Sequence, residues 1–434
     1  MEPLRKIEPA SLIPRDIWMI GFVSFLINFS SIIIFTLSPS YLVSILRVTT
    51  FSIGILQGTV DFMAWVVRMF SGVISDYCRK RKPILLFSAA LIVLSRPLFM
   101  MSSSFMGFFF AKSLDRLGNG LHATPREALV GDIASLHETK GACYGLRQSL
   151  STAGSFTGAL IMITFFHSCD NRYFTFFLIA AISPVIAFII LIWKVKEAPF
   201  NSSTPQEKLI FRLIHLKKLP VAYWSIVMMA SLFMLSNYSG AFILLHSEVI
   251  TQTQIISPLV MIVQNMATTA VAYPMGYLSD KVGHSWILGF GFLVTALSGI
   301  VFAFSSTSLD ILFGAFLWGV QVGMTQSLFM TRIAETTHTE IRGSAFGIYY
   351  ALMGIMLFLS NSAIGYIAHH FSLSSGFLTS ACIAFFALCC LFLMNVWKKL
   401  APRNSASVSW EGASPKRCSI DQKRDSHYRR NMVE

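Results

Sequence analysis

From Trp18 onward, long apolar stretches alternate with short polar breaks. A helix needs about 20 apolar residues to cross the hydrocarbon core of a bilayer. Runs of that order fall at residues 17–46, 52–75, 83–103, 105–126, 141–166 and 173–193, then at 221–247, 254–277, 285–305, 309–331, 343–367 and 372–396. Inside lipid every backbone polar group must find its partner within the protein, so such runs fold as helices. The pattern predicts an all-α membrane protein of twelve transmembrane helices, arranged six and six. Residues 1–16 are polar and lead straight into a full-length span, so the first span is expected to remain a helix rather than be removed as a signal peptide.

Composition sharpens this expectation. Hydrophobic residues make up 54% of the 434 and charged residues 13%, where soluble globular domains carry about 25% charge. The net charge of +13 would suit a nucleic-acid binder, but the loop Lys and Arg cluster in alternate breaks, with Arg47 and Arg172 on the other side. That is the positive-inside pattern. It predicts an inner-membrane protein with both termini cytoplasmic, in contact with lipid and not with nucleic acid. Residues 194–220 read as a cytoplasmic linker with a short amphipathic segment, and 397–434 as a basic, disordered tail. The seven cysteines show neither metal-ligand spacing nor a disulfide framework.

Internal repetition organises the spans. Gly72-Val-Ile-Ser-Asp76 recurs as Gly276-Tyr-Leu-Ser-Asp280, and Asp132 with Lys140-Gly-Ala-Cys-Tyr-Gly145 recurs as Glu335 with Arg342-Gly-Ser-Ala-Phe-Gly347. Both pairs lie at nearly the same spacing. An even number of helices per repeat makes the halves, 17–193 and 221–396, parallel six-helix bundles.

Gly72, Asp76 and the basic run Arg79, Lys80, Arg81 and Lys82 resemble the loop signature G-x-x-x-D-[RK]-x-G-[RK]-[RK] of the major facilitator superfamily, with departures at Tyr77 and Arg79. The second copy, Gly276, Asp280, Lys281 and Gly283, departs at His284 and Ser285. On the fourth span, Arg116-x-x-Asn119-Gly120 resembles the superfamily's R-x-x-Q-G. The longer run from Asp115 to Leu129 resembles a bacterial permease subgroup with R-x-G-x-G-[IL]-x-x-x-P-R-[DE]-A-L. The resemblance covers residues 17–396. It implies a secondary transporter working by alternating access, gated by Asp76 and Asp280, with Asp132 and Glu335 as partners for the basic loop residues.

Ionisable groups inside spans are costly unless paired or hydrated, so they are functional candidates. Here they are Asp61, Arg68, Arg96, Lys112, Asp115 and Arg116, all in the first half. The second half offers neutral groups: Asn237, Tyr238, Gln264, Asn265, Gln321, Thr325 and Gln326. One half is thus expected to supply charge and proton coupling, the other hydrogen bonds to a small-molecule substrate. Asp61 is the candidate proton carrier. The alternative is that Asp61 and Arg68, seven residues apart on one helix face, neutralise each other or a neighbouring helix. Arg96 and Arg116 are also candidates for binding an anion. Gly154 and Gly158 on the fifth span echo a glycine-proline antiporter signature without its proline, and a helix-packing face explains them equally well. No G-x-x-x-x-G-K-[ST], H-E-x-x-H or G-x-S-x-G sequence is present, so neither ATP drive nor hydrolytic chemistry is expected, and no cofactor. The reading is a proton-coupled, monomeric carrier of a metabolite, siderophore or drug. Its rival is a non-transporting sensor on the same scaffold.

Overall fold

The apolar runs fold as helices throughout the computed structural model, which describes residues 14–78, 80–135, 140–165, 172–195, 219–337 and 342–400. Among these residues there are thirteen helices and no strand: α1 (Arg15–Ser44), α2 (Thr50–Cys78), α3 (Lys82–Met101), α4 (Phe105–Ser135), α5 (Lys140–Phe165), α6 (Arg172–Trp193), α7 (Val221–Met234), α8 (Gly240–Thr251), α9 (Ile256–Val282), α10 (His284–Phe304), α11 (Ser308–Thr336), α12 (Arg342–His370) and α13 (Leu373–Leu400). Eight of the described helices are long and apolar enough to cross a membrane: α1, α2, α3, α6, α10, α11, α12 and α13. In α4 the charges of Lys112, Asp115, Arg116, Arg126 and Glu127 interrupt the apolar run. Prolines sit inside α1, α3, α4, α6 and α9, a tolerance typical of membrane helices, where neighbouring groups satisfy the freed carbonyls.

The seventh span, read as one helix over 221–247, is two helices broken at residues 235–239. Its Leu, Phe and Met content hides the break, which the polar cluster Ser236, Asn237 and Ser239 produces. Ser239 caps α8, its hydroxyl accepting from Ala241 N–H at 3.3 Å. Asn361 of α12 accepts the Ser239 N–H at 2.7 Å. The Ser360 hydroxyl meets the carbonyls of Leu235 at 2.9 Å and Asn237 at 2.5 Å, and Ser380 of α13 donates to the Ser236 carbonyl. The break is therefore compensated by side chains of α12 and α13, the condition under which non-helical backbone survives at membrane depth.

Within the first half α1 packs on α5 and α6, α2 on α4, and α3 on α4 and α6; within the second, α11 packs on α9 and α10. The halves meet chiefly along α2 and α12, where Gly54 and Gly365 allow backbone contact: a Cβ on Gly54 would lie 2.9 Å from Gly365 Cα. Gly154 and Gly158 lie against the α1 backbone at Phe25 and Phe29. The one-residue turn between α9 and α10 is Gly283, at φ +98°, a left-handed conformation that glycine adopts without penalty.

Because successive spans reverse direction, the bundle has two ends. The terminal face carries the start of α1 and the turns after α2, α4, α9 and α11. The opposite face carries the turns after α1, α3, α8 and α10.

Candidate functional site

Three helices bring the first half's charges together. On α4, Lys112, Asp115, Arg116 and Asn119 recur at intervals of three and four, which places them along one side of the helix. Asp115 pairs with Arg96 of α3, Oδ1 to Nη2 at 2.9 Å, with both side chains nearly inaccessible. Asn119 donates to the same carboxylate oxygen at 3.0 Å and to the Asp115 carbonyl at 2.9 Å. Arg96 and Asp115 thus neutralise one another.

Lys112 is 2% exposed and its Nζ has no hydrogen-bond partner; the ammonium lies 5.9 Å from the Phe108 ring. The Arg116 guanidinium lies 5.7 Å from the ring of Phe35 on α1, and its Nε makes no hydrogen bond. The cations whose fields act on Asp61 are Arg116 and Lys112. Among the described residues no ion pair joins Asp61 to Arg68. Arg68 instead lies 5.8 Å from the Trp65 ring, and its electrostatic neighbours are Tyr350, Arg126 and Arg116. The seven-residue spacing puts Asp61 and Arg68 on one face without bringing them into contact, since two helical turns, about 10 Å, separate them along α2, and both instead feel the charge of Arg116.

The second half supplies neutral groups around the α7–α8 break. Gln321 Nε2 donates to Asn237 Oδ1 at 3.4 Å, and Thr295 donates to Gln321 Oε1 at 3.4 Å. Thr325 donates to the Gln321 carbonyl at 2.8 Å. Tyr238 stacks on Trp318 with ring centroids 4.4 Å apart, and its buried hydroxyl has no partner, as is also true of Gln264 Oε1. Asn265 donates to the Met261 carbonyl and lines a narrow crevice with Thr152 and Ser155 of α5. The Gln326 side chain lies outside the described residues. Phe35 links the two sets: Arg116 sits over its ring, and a Cβ at Gly240, where α8 begins, would lie 3.2 Å from its edge.

Loop residues pair near the terminal face. Arg81 Nε meets Asp132 Oδ2 at 3.3 Å, and His284 Nε2 meets Glu335 Oε1 at 3.6 Å. Arg81 and His284 are 203 positions apart in the sequence, as are Asp132 and Glu335, so the repeat extends to these contacts. Each pair joins helices of the same half. Lys80 is exposed. Gly72, Asp76, Gly276, Asp280, Lys281 and Arg342 lie in helices whose side chains at those positions are outside the described residues, and Arg79 is outside them altogether. Further along α4, Glu127 Oε1 holds Arg147 of α5 at 3.1 Å and Arg126 at 3.0 Å.

A second polar group is not evident from the sequence. Near the opposite face, Glu248 Oε1 accepts from Ser40 of α1 at 2.5 Å and from Ser257 of α9 at 2.6 Å. Gln254 donates to the Tyr173 hydroxyl of α6 at 2.9 Å. The Glu248–Ser40 and Gln254–Tyr173 contacts cross between halves. Glu248 falls one residue past the predicted seventh span, where a lone carboxylate is indistinguishable from an ordinary loop charge.

Comparison with known proteins agrees with this architecture. The chain is 28% identical over 363 residues to an uncharacterised MFS-type transporter of Methanocaldococcus jannaschii, covering 81% of this chain and 88% of that one. Its fold is similar to that of the nucleoside transporter NupG, with a TM-score of 0.74 at 12% identity over 88% of this chain and 99% of that one. It is also similar to a D-xylose-proton symporter, with a TM-score of 0.67 at 15% identity over 87% and 96%. The Major Facilitator Superfamily profile matches residues 18–263 and 250–422, and the chain belongs to that superfamily of membrane transporters.

Proposed function

We propose that this secondary transporter is driven by protons, that Asp61 carries the coupling proton, and that the substrate binds between the halves. Asp61, Lys112 and Arg116 contribute from one side; Asn237, Tyr238, Gln264 and Gln321 contribute from the other. The observation that carries this reading is the placement of Asp61 within the fields of Lys112 and Arg116 while Asp115 is already committed to Arg96. A carboxylate with no fixed partner can gain and lose a proton at lower cost than one locked in an ion pair. The fold likeness to a D-xylose-proton symporter supports proton drive without bearing on the solute. The distribution of basic loop residues supports an inner-membrane position with both termini cytoplasmic. Each chain carries both halves of the site, so it works as a monomer.

The deciding experiment is solute accumulation in proteoliposomes under an imposed pH gradient. Wild type accumulates solute against its gradient. Asp61→Asn loses that accumulation and retains solute exchange at equal concentrations. Gradient-driven uptake by Asp61→Asn at the wild-type level would remove Asp61 from this role, and wild-type accumulation without any pH gradient would remove proton drive.

A further inference from the structure

The interior of the first half holds more positive charge than it neutralises. Arg96 is matched by Asp115, which leaves Asp61 as the carboxylate acting on both Lys112 and Arg116. Lys112 is the unexplained group: a long cationic side chain, 2% exposed, whose Nζ has no hydrogen-bond partner. Buried charges are ordinarily paired, because removing an ammonium from water is compensated only by a counter-charge and hydrogen bonds. Arg116 lies one helical turn further along α4, its Nε also without a partner, and the two cations repel one another. The field of Asp115 also reaches Lys112, but that carboxylate is already matched by Arg96, so two neighbouring cations share one uncommitted carboxylate and lack one negative charge.

We infer that the missing charge is the substrate's, and that the carrier takes a small organic carboxylate held by Lys112 and Arg116. This rests on the reading of the site given above and adds the solute's chemical class. A carboxylate between the two satisfies the ammonium as a point charge and the guanidinium through its planar fork. Phe35, half-buried, with Arg116 over its ring and α8 at its edge, provides an apolar surface for the rest of such a molecule. Tyr238 Oη and Gln264 Oε1, buried and unpartnered in the second half, offer a donor and an acceptor. Asp61 then competes with the substrate for the same two cations.

The test is equilibrium binding to the purified full chain, read as thermal stabilisation by acetate, succinate and benzoate, each compared with its neutral amide. The carboxylates stabilise wild type in a concentration-dependent way and the amides do not. Lys112→Gln weakens carboxylate binding at least tenfold, and Lys112→Arg, which keeps the charge, restores most of it. Asp61→Asn removes the competitor and tightens carboxylate binding, an effect that a structural role for either residue would not produce. Equal stabilisation by amides and carboxylates, silence across all three carboxylates, or unchanged binding in Lys112→Gln overturns the inference; the last would mean that Lys112 does not hold the carboxylate. Flux is a separate readout. Carboxylate binding without flux leaves the anion site standing and defeats the transport reading of it, whereas proton-driven flux of neutral solutes without carboxylate binding defeats the anion site alone.

Discussion

In the first half, polarity inside the bundle resides in charged side chains projecting from unbroken helices: Arg96 and Asp115 in contact, with Lys112, Arg116 and Asp61 beside them. In the second half it resides in backbone released at the α7–α8 break and in neutral amides and hydroxyls that absorb it. The two solutions fail differently. A buried charge that loses its partner is left in a medium that cannot solvate it. A backbone carbonyl or N–H that loses one hydrogen bond can often find another nearby. The first half should therefore be brittle and the second forgiving, although they share a fold and a repeat.

The largest expected effect follows from the Arg96–Asp115 pair. Arg96→Leu or Asp115→Leu alone strands a buried charge and should cost about 3–5 kcal/mol of stability. The double replacement should cost much less than either single one, since it removes both charges at once. Denaturant titration of the purified variants checks this, and single losses that simply add in the double variant would show that the residues are not coupled.

The matching perturbation in the second half is smaller. Asn361→Leu deprives the Ser239 N–H of its acceptor and should cost about 1–2 kcal/mol, the penalty for an unsatisfied neutral donor. Ser360→Ala, which removes one hydroxyl from two carbonyls, should cost about 0.6 kcal/mol, the average for an interhelical hydrogen bond in a membrane. If Asn361→Leu proves as damaging as Arg96→Leu, the contrast between the halves does not hold.

Much of this contrast was legible in the sequence. The all-helical spans and their repeat follow from apolar run lengths and the matched loops, and the charges of the first half stand out because apolar residues surround them. Residue pairing was not legible. The spacing of Asp61 and Arg68 suggests contact, yet the choice between a shared face and a shared partner depends on Trp65, Lys112 and Arg116, which arrive from another turn or another helix. The α7–α8 break is invisible for the same reason: Ser236, Asn237 and Ser239 can leave the helix only because Ser360, Asn361 and Ser380 wait more than 120 residues later.

Where the halves meet, the contrast can be sharpened through Glu248, which ties α8 to Ser40 of α1 and to Ser257 of α9. Glu248→Ala should weaken the contact between halves near the opposite face by about 1 kcal/mol, roughly a fivefold shift in population toward opening there. A cysteine introduced at Gln57, fully buried in α2, in a chain with its native cysteines replaced by alanine, reports this as maleimide labelling about fivefold faster. Labelling at the unmodified rate would show that Glu248 does not hold the halves together.

The smallest effect separates the two halves at their repeated loop contacts. Arg81 keeps its charge at every relevant pH, so its attraction to Asp132 persists. The imidazole of His284, at the equivalent place opposite Glu335, lacks the permanent charge and planar fork of a guanidinium. His284→Arg should make the second half behave like the first, with a gain of under about 1 kcal/mol, since half-exposed ion pairs contribute little. Comparing the thermal stability of wild type, His284→Arg and His284→Arg combined with Glu335→Gln checks this. A gain that survives when Glu335 is replaced would mean that the longer side chain acts through packing and not through the carboxylate.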